Sequence, residues 1–191
     1  MIDLHLDKRI GKDAFLRAGL GFGGGTLARD VGVLRRLSKQ NNLTMHLLDA
    51  IITVNNDQNR VISRKLKLIF GKIKGLKIGI LGLTYKPGTS TIRRSASIDI
   101  IKELVGQGAS VKAYDPKASF KKTDPGVSFE RCERAEQVAE SSNAILILTG
   151  WPEFKNIDFK NLKPKMLNSV VIDAMNLLDP LQMANYGFEF S

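Results

Sequence analysis

The sequence predicts an α/β protein, with a helical region over residues 1–73 followed by a parallel-sheet region over residues 74–191. Two observations predict it. In the first part apolar residues recur at the three-to-four-residue period of a helix face. In the second, short apolar runs alternate with helical stretches. That is the pattern of strand–helix–strand units, whose strands pair in parallel through right-handed crossovers.

In the helical region Leu27, Val31, Leu34 and Leu37 mark a first helix, which Asn41-Asn42 breaks. Thr44 is the expected cap of a second, long helix. On it Ile51, Ile62, Leu66 and Ile69 form one apolar stripe, and Asn55 and Gln58 fall on the same stripe. Buried amides must be hydrogen-bonded. A helix–helix contact with satisfied amides is the expected arrangement; the other reading is that they line an interface or ligand cavity. A helix of about 25 residues exceeds the usual globular length, which makes it a natural dimer surface. In the sheet region strands are expected over 77–83, 110–116, 144–149 and 169–173, with helices over 95–107 and 133–140; Gly108 stops the first of these helices. Ligands on such sheets bind beyond the carboxyl ends of the strands. Those ends are residues 82–86, 115–116, 149–151 and 173–176.

Composition narrows the class. The chain has 191 residues, 43% hydrophobic and 25% charged, which suits a soluble globular protein. No apolar run reaches the ~20 residues of a membrane span. The stretch MIDLHLDKRIGK lacks the apolar core of a signal peptide. Cys132 is the single cysteine, so an internal disulfide is excluded and a cytoplasmic location expected. His5 and His46 lie far apart, which argues against a histidine-based metal site. The net charge of +10 suits polyanionic partners. Its densest stretch, from Arg60 to Lys77, reads as a solvated helix face, and no reader motif accompanies it, so nucleic acid is not an expected partner.

The stretch GLGFGGGTLARD, residues 19–30, satisfies G-x-G-x-x-G at Gly19, Gly21 and Gly24. A dinucleotide fingerprint follows a strand, and residues 14–18 do not read as one. What remains is a Gly-rich ligand loop running into a helix N-terminus, a position that favours anions. Thr26 and Asp30 lie four apart on that helix. With no base nearby in sequence, Thr26 reads as a cap or first-turn residue rather than a nucleophile. Lys86 stands at a strand's carboxyl end, either to pair with phosphate or a sugar oxygen or as a solvated loop lysine. Asp115 ends the second strand 33 positions after Gly82, against the ~20 usual for a ribose-binding acid. Capping the turn at Pro116 is its other reading.

Taken in order, eight stretches resemble the C-terminal half of the nucleotide-sugar 6-dehydrogenases, the UDP-glucose/GDP-mannose dehydrogenase family. They are Lys8-Arg9-Ile10-Gly11, Gly21-Phe22-Gly23-Gly24-Gly25-Thr26, Val54-Asn55 with Gln58, Leu81-Gly82-Leu83-Thr84-Tyr85-Lys86-Pro87, Ile92-Arg93, Tyr114-Asp115-Pro116, Thr149-Gly150-Trp151-Pro152-Glu153-Phe154 and Asp173-Ala174-Met175-Asn176. The resemblance implies that residues 1–73 are a helical central region that dimerises and carries the substrate loop. It implies that residues 74–191 are a Rossmann-like UDP-binding domain, and that the N-terminal NAD-binding domain is absent. The family oxidises the sugar C6 alcohol to a carboxylate with two NAD. By the same resemblance Arg9, Phe22, Gly23, Gly24 and Lys86 are substrate-binding, Arg93 contacts NAD, and Asp30 is retained.

The departures matter as much. Thr26 stands at the position of the family's catalytic cysteine, Ala28-Arg29 replace Pro-Lys, Arg94 replaces an acid, and Met175 replaces an arginine. A thiol ionises near pH 8.5, whereas an aliphatic hydroxyl hardly ionises at all. The expectation is therefore a protein that binds a nucleotide sugar, most simply a UDP-sugar, as a homodimer, without completing the oxidation alone. The alternatives are one subunit of a split dehydrogenase, with the NAD domain on a separate chain, and a nonenzymatic basic interaction module.

Overall fold

The computed structural model describes residues 4–11, 14, 19–121 and 124–191. The expected stretch 14–18 before the Gly-rich loop lies, apart from Ala14, outside the described residues. A short 3-10 turn at Leu4–Leu6 precedes α1 (Leu27–Gln40) and α2 (His46–Phe70). Asn42 takes a left-handed backbone, φ 54°, and the Leu43 amide returns to Ser38 O at 2.8 Å. That turn ends α1 where the two asparagines predict. It also displaces the next helix: α2 begins with Met45 at the cap position and no side-chain cap bond, so Thr44 does not cap it.

The remaining elements build one six-stranded, wholly parallel sheet. They are β1 (Lys77–Leu81), α3 (Ala96–Gly106), β2 (Ser110–Tyr114), β3 (Glu130–Arg131), β4 (Ala144–Ile147), α4 (Phe159–Leu162), β5 (Val170–Asp173), α5 (Pro180–Asn185) and β6 (Glu189–Phe190). The strand order is β3-β2-β1-β4-β5-β6, with Ile78 opposite both Val111 and Ala144. This is the Rossmann order, and it reverses between β1 and β4, where such sheets open their ligand crevice.

Strand periodicity sends alternate residues to the two faces. Ile78, Ile80, Leu146 and Ile172 enter one core with Ile100, Ile101 and Leu104 of α3. Leu81, Ile145, Ile147 and Val171 enter the other with Val138, Phe154 and Met183. Ile62 and Leu66 of α2 are buried in the first core, so the second half of the long helix packs on the sheet unit. Its first half does not: Leu47 and Val54 are exposed.

The helix expected over 133–140 is a 3-10 turn, Ala135–Ala139. Gln137 Oε1 accepts from both Glu133 N and Arg134 N, at 2.8 and 2.9 Å, which fixes the segment as one tight turn. β3, α4, α5 and β6 have no counterpart in the sequence reading. Asp179 caps α5 by accepting from Leu181 N at 2.8 Å, with Pro180 behind it. Among the described residues no helix is long and apolar enough to cross a membrane, and no group of three or more His, Cys, Asp or Glu could hold a metal ion.

Candidate functional site

Two loops meet beyond the carboxyl end of β1: the Gly-rich loop ahead of α1 and the long β1–α3 loop. Gly24 N donates to Arg94 O at 2.9 Å, and Arg94 Nη1 donates to Gly25 O at 3.3 Å. A Cβ on Gly24 would lie 2.7 Å from the Tyr85 ring, and one on Gly23 would lie 2.7 Å from Arg94 O. Gly24 also has φ +80°, so both contact and conformation require glycine there.

On its other side the Gly-rich loop is held by α2. Phe22 N donates to Asn55 Oδ1 at 2.7 Å, and Asn55 Nδ2 donates to Phe22 O at 3.1 Å. The amide on the apolar stripe is thus satisfied, though by the loop rather than by another helix. Gln58 lines an open groove of about 420 Å³ with Phe22, Leu47, Ile51 and Val54.

Thr26 occupies the cap position of α1, exposed, and its hydroxyl makes no cap bond. The helix therefore offers first-turn N–H groups with no side-chain cap beside the loop. Asp30 donates its amide to Thr26 O at 2.9 Å, while its carboxylate pairs with Arg29 Nε at 2.9 Å. Lys86 is exposed, its ammonium 5.7 Å from the Tyr85 ring centre. Arg93 is exposed too, its amide donating to Thr91 Oγ1 at 3.2 Å. Arg9 lies on the surface in a two-bond pair with Asp7, at 3.1 and 2.7 Å. The described contacts bring Phe22, Gly23, Gly24 and the α1 N-terminus together; none attaches the side chains of Arg9, Lys86 or Arg93 to that loop. Tyr85 and Arg94 are the contact residues that sequence reasoning missed. Their signal was the pair Gly23-Gly24, both of which have a close neighbour where a Cβ would lie, whereas Gly25 faces open space.

Asp115 is fully committed to structure. Its Oδ2 accepts from Leu83 N, Thr84 N, Thr84 Oγ1 and Trp151 Nε1 at 2.8, 2.9, 2.9 and 3.1 Å. Its Oδ1 accepts from Lys117 N and Ala118 N at 2.9 and 2.8 Å. The turn-capping reading holds. The point bears on NAD. A dinucleotide on this sheet needs free backbone N–H groups after β1 for the pyrophosphate and a free acid after β2 for the ribose. Leu83 and Thr84 N–H and both oxygens of Asp115 are taken, so this position does not fit NAD.

Residues 79–180 match the UDP-binding domain of the UDP-glucose/GDP-mannose dehydrogenase family, and residues 2–57 match that family's central domain. The chain belongs to this family. Among its relatives the UDP-glucose 6-dehydrogenase of Rickettsia bellii is 36% identical over 98% of the chain and 44% of the relative. TuaD, the UDP-glucose 6-dehydrogenase of Bacillus subtilis, is 38% identical over 95% of the chain and 40% of the relative. A solved UDP-glucose dehydrogenase from Pyrobaculum islandicum superposes with TM-score 0.79 at 30% identity, covering 91% of this chain and 38% of that one. The chain thus spans less than half the length of the dehydrogenases it matches. Within the family frame, the loop pinned by Asn55 falls in the matched central domain, and Tyr85 and Arg94 fall in the matched UDP-binding domain.

Proposed function

We propose that this chain binds a nucleoside diphosphate sugar, a UDP-sugar in the first instance, between the Gly-rich loop and the β1–α3 loop. One observation carries the reading. A Gly-rich loop, held from both sides by Asn55 and Arg94, leads into an α1 N-terminus with no side-chain cap at the carboxyl edge of a parallel sheet. Gly25 is exposed with open space where a Cβ would lie, so a ligand can approach the backbone closely there, and the helix end favours its negative charge. Phe22, Gly23 and Gly24 line the sugar side. Lys86 supplies a mobile cation to the ligand, Arg9 reaches it from a partner copy, and Arg93 faces NAD carried by another domain or chain. The division into a central region, 1–73, and a UDP-binding domain, 74–191, follows the same reading, with α2 shared between them. The exposed apolar face of the first half of α2, with Leu47 and Val54, is the proposed homodimer surface. A single cysteine suits a reducing, cytoplasmic setting.

The family reaction supplies hydride acceptance through NAD. What this chain brings to it is orientation of the sugar nucleotide and exclusion of water by the two loops. Thr26 marks the limit. Capture of an aldehyde as a covalent adduct needs an ionisable nucleophile, and the Thr26 hydroxyl has neither a low pKa nor a base bonded to it among the described residues. Bound sugar is therefore held and not carried to the acid by this chain alone.

Calorimetry with UDP-glucose, UDP-N-acetyl sugars and GDP-mannose tests the reading, with heat expected from a UDP-sugar first. No heat from any of the three overturns it. Formation of uronate by the chain with NAD overturns the role given to Thr26.

A further inference from the structure

The residue that joins the two loops has an unusual backbone. Arg94 sits at φ +55°, a left-handed conformation that costs a non-glycine residue stability. It is placed between two anchored neighbours. Ile92 is buried, and Ser95, also buried, donates its amide to Ile92 O at 3.2 Å and caps α3 through Ser97 N. The twist between these anchors aims the Arg94 carbonyl at Gly24 N, 2.9 Å away. The side chain then turns back to the loop, Nη1 donating to Gly25 O at 3.3 Å. Two successive residues of the Gly-rich loop, Gly24 through its N–H and Gly25 through its carbonyl, are thus held by one residue of the sheet unit. Thr26 and the first turn of α1 follow immediately after. An acid at this position has no donor for Gly25 O, and an alanine keeps the strained backbone without the bond that offsets it.

We propose that Arg94 is a positioning residue, a latch that fixes the Gly-rich loop to the β1–α3 loop and so sets where Thr26 and the α1 N-terminus meet the ligand. The inference rests on the nucleotide-sugar reading for its functional half; its structural half stands without a ligand. The latch acts through Gly24 and Gly25 and needs both parts of Arg94, the carbonyl and the guanidinium.

The test uses the chain as it is, with three variants and three measurements: amide exchange of Gly24, calorimetry with UDP-glucose, and the melting midpoint. Arg94→Ala is expected to speed Gly24 exchange and weaken UDP-glucose by about fivefold to thirtyfold each, the ratio for losing one charge-assisted hydrogen bond. Arg94→Lys retains a donor and recovers most of both. Arg94→Gly loses the donor but also relieves the left-handed backbone, so Gly24 exchange falls between those of the wild type and Arg94→Ala. The melting midpoint stays within a few degrees throughout, because the anchors at Ile92 and Ser95 are untouched. Gly24 exchange unchanged in Arg94→Ala overturns the latch. Faster Gly24 exchange with unchanged UDP-glucose affinity overturns its coupling to the ligand. If wild-type chain gives no heat with any nucleotide sugar, the site reading and the functional half of the latch fall together, while Gly24 exchange still decides the structural half.

Discussion

Asn55 holds the Phe22 backbone on both sides of its Cα, accepting from its N–H at 2.7 Å and donating to its carbonyl at 3.1 Å. One side chain on a helix thereby does for a loop what a neighbouring strand does in a sheet. Replacing it with Ala leaves both peptide groups without a partner, at ~1–3 kcal/mol. Asn55→Asp is the sharper probe, because it keeps the acceptor and the volume and sets a carboxylate oxygen in place of the donor, against the Phe22 carbonyl. Urea unfolding is expected to rank wild type above Asn55→Asp. Equal midpoints for the two would show that the Phe22 carbonyl contact contributes nothing.

The Gly24–Tyr85 contact predicts a rescue. Gly24→Ala puts a Cβ 2.7 Å from the ring on a φ of +80°, so it disturbs the loop in two ways. Adding Tyr85→Ala removes the collision and leaves the backbone cost of ~1–2 kcal/mol. UDP-glucose binding should be lost in the single variant and partly return in the double one, a non-additivity that a double-mutant cycle measures.

Asp115 accepts six hydrogen bonds with two oxygens. Asp115→Asn turns one of those oxygens into a donor facing N–H groups, stripping the partner from Lys117 and Ala118 N–H if Oδ1 is replaced, or from the part-buried Leu83, Thr84 and Trp151 donors if Oδ2 is, at up to ~1–3 kcal/mol for each donor kept from water. The expected result is a large fall in the urea midpoint. A midpoint within experimental error of the wild type would argue that water replaces the carboxylate at no cost.

Position 26 is suited to a thiolate. Thr26→Cys puts a thiol at the N-terminus of α1, where the helix end favours the anion. Cys132 is the internal reference: burial pushes its thiol up, with the Glu130 carboxylate adding to the effect. At neutral pH iodoacetamide should label the introduced thiol well before Cys132, as read by peptide mass spectrometry. Slower labelling at position 26 would remove the electrostatic argument for the site.

Arg9 reports on its own availability through Asp7. The Arg9 guanidinium and amide both hydrogen-bond the Asp7 carboxylate and hold its pKa below the ordinary 3.8. A depressed acid stabilises the folded chain above its unfolded pKa, and this contribution is lost as pH falls through the folded value. An NMR titration should place the Asp7 midpoint below 3.8, and Arg9→Ala should return it upward. If Arg9 leaves Asp7 for a ligand phosphate, saturating UDP-glucose moves the midpoint up as well.

Much of the fold was legible because burial imposes a period on sequence. The Asn41-Asn42 break and the four principal strands follow from apolar spacing and turn chemistry alone; α1 also forms where its apolar spacing predicts, although Leu27, Leu34 and Leu37 of that stripe are exposed and only Val31 is buried. The misses have two causes. Thr44 and the 133–140 segment are set by hydrogen bonds to groups several residues away, Leu43 to Ser38 O and Gln137 back to Glu133, and propensity does not register them. β3 and β6 are two residues each, too short to carry a period.

The sequence by itself determined the α/β class, the order of the principal helices and strands, the Gly-rich loop and the family pattern, with threonine where a cysteine is expected. These are properties of residues in a row: spacing, side-chain volume, and the presence or absence of a thiol. Only the tertiary structure decided that Asn55 serves the loop and not a helix, that Asp115 is spent on six internal bonds, and that Tyr85 and Arg94 close over Gly23–Gly25. A hydrogen bond is satisfied by whatever the fold brings within about 3 Å, and residues 22 and 55, or 24 and 94, become neighbours only once α2 and the sheet have packed.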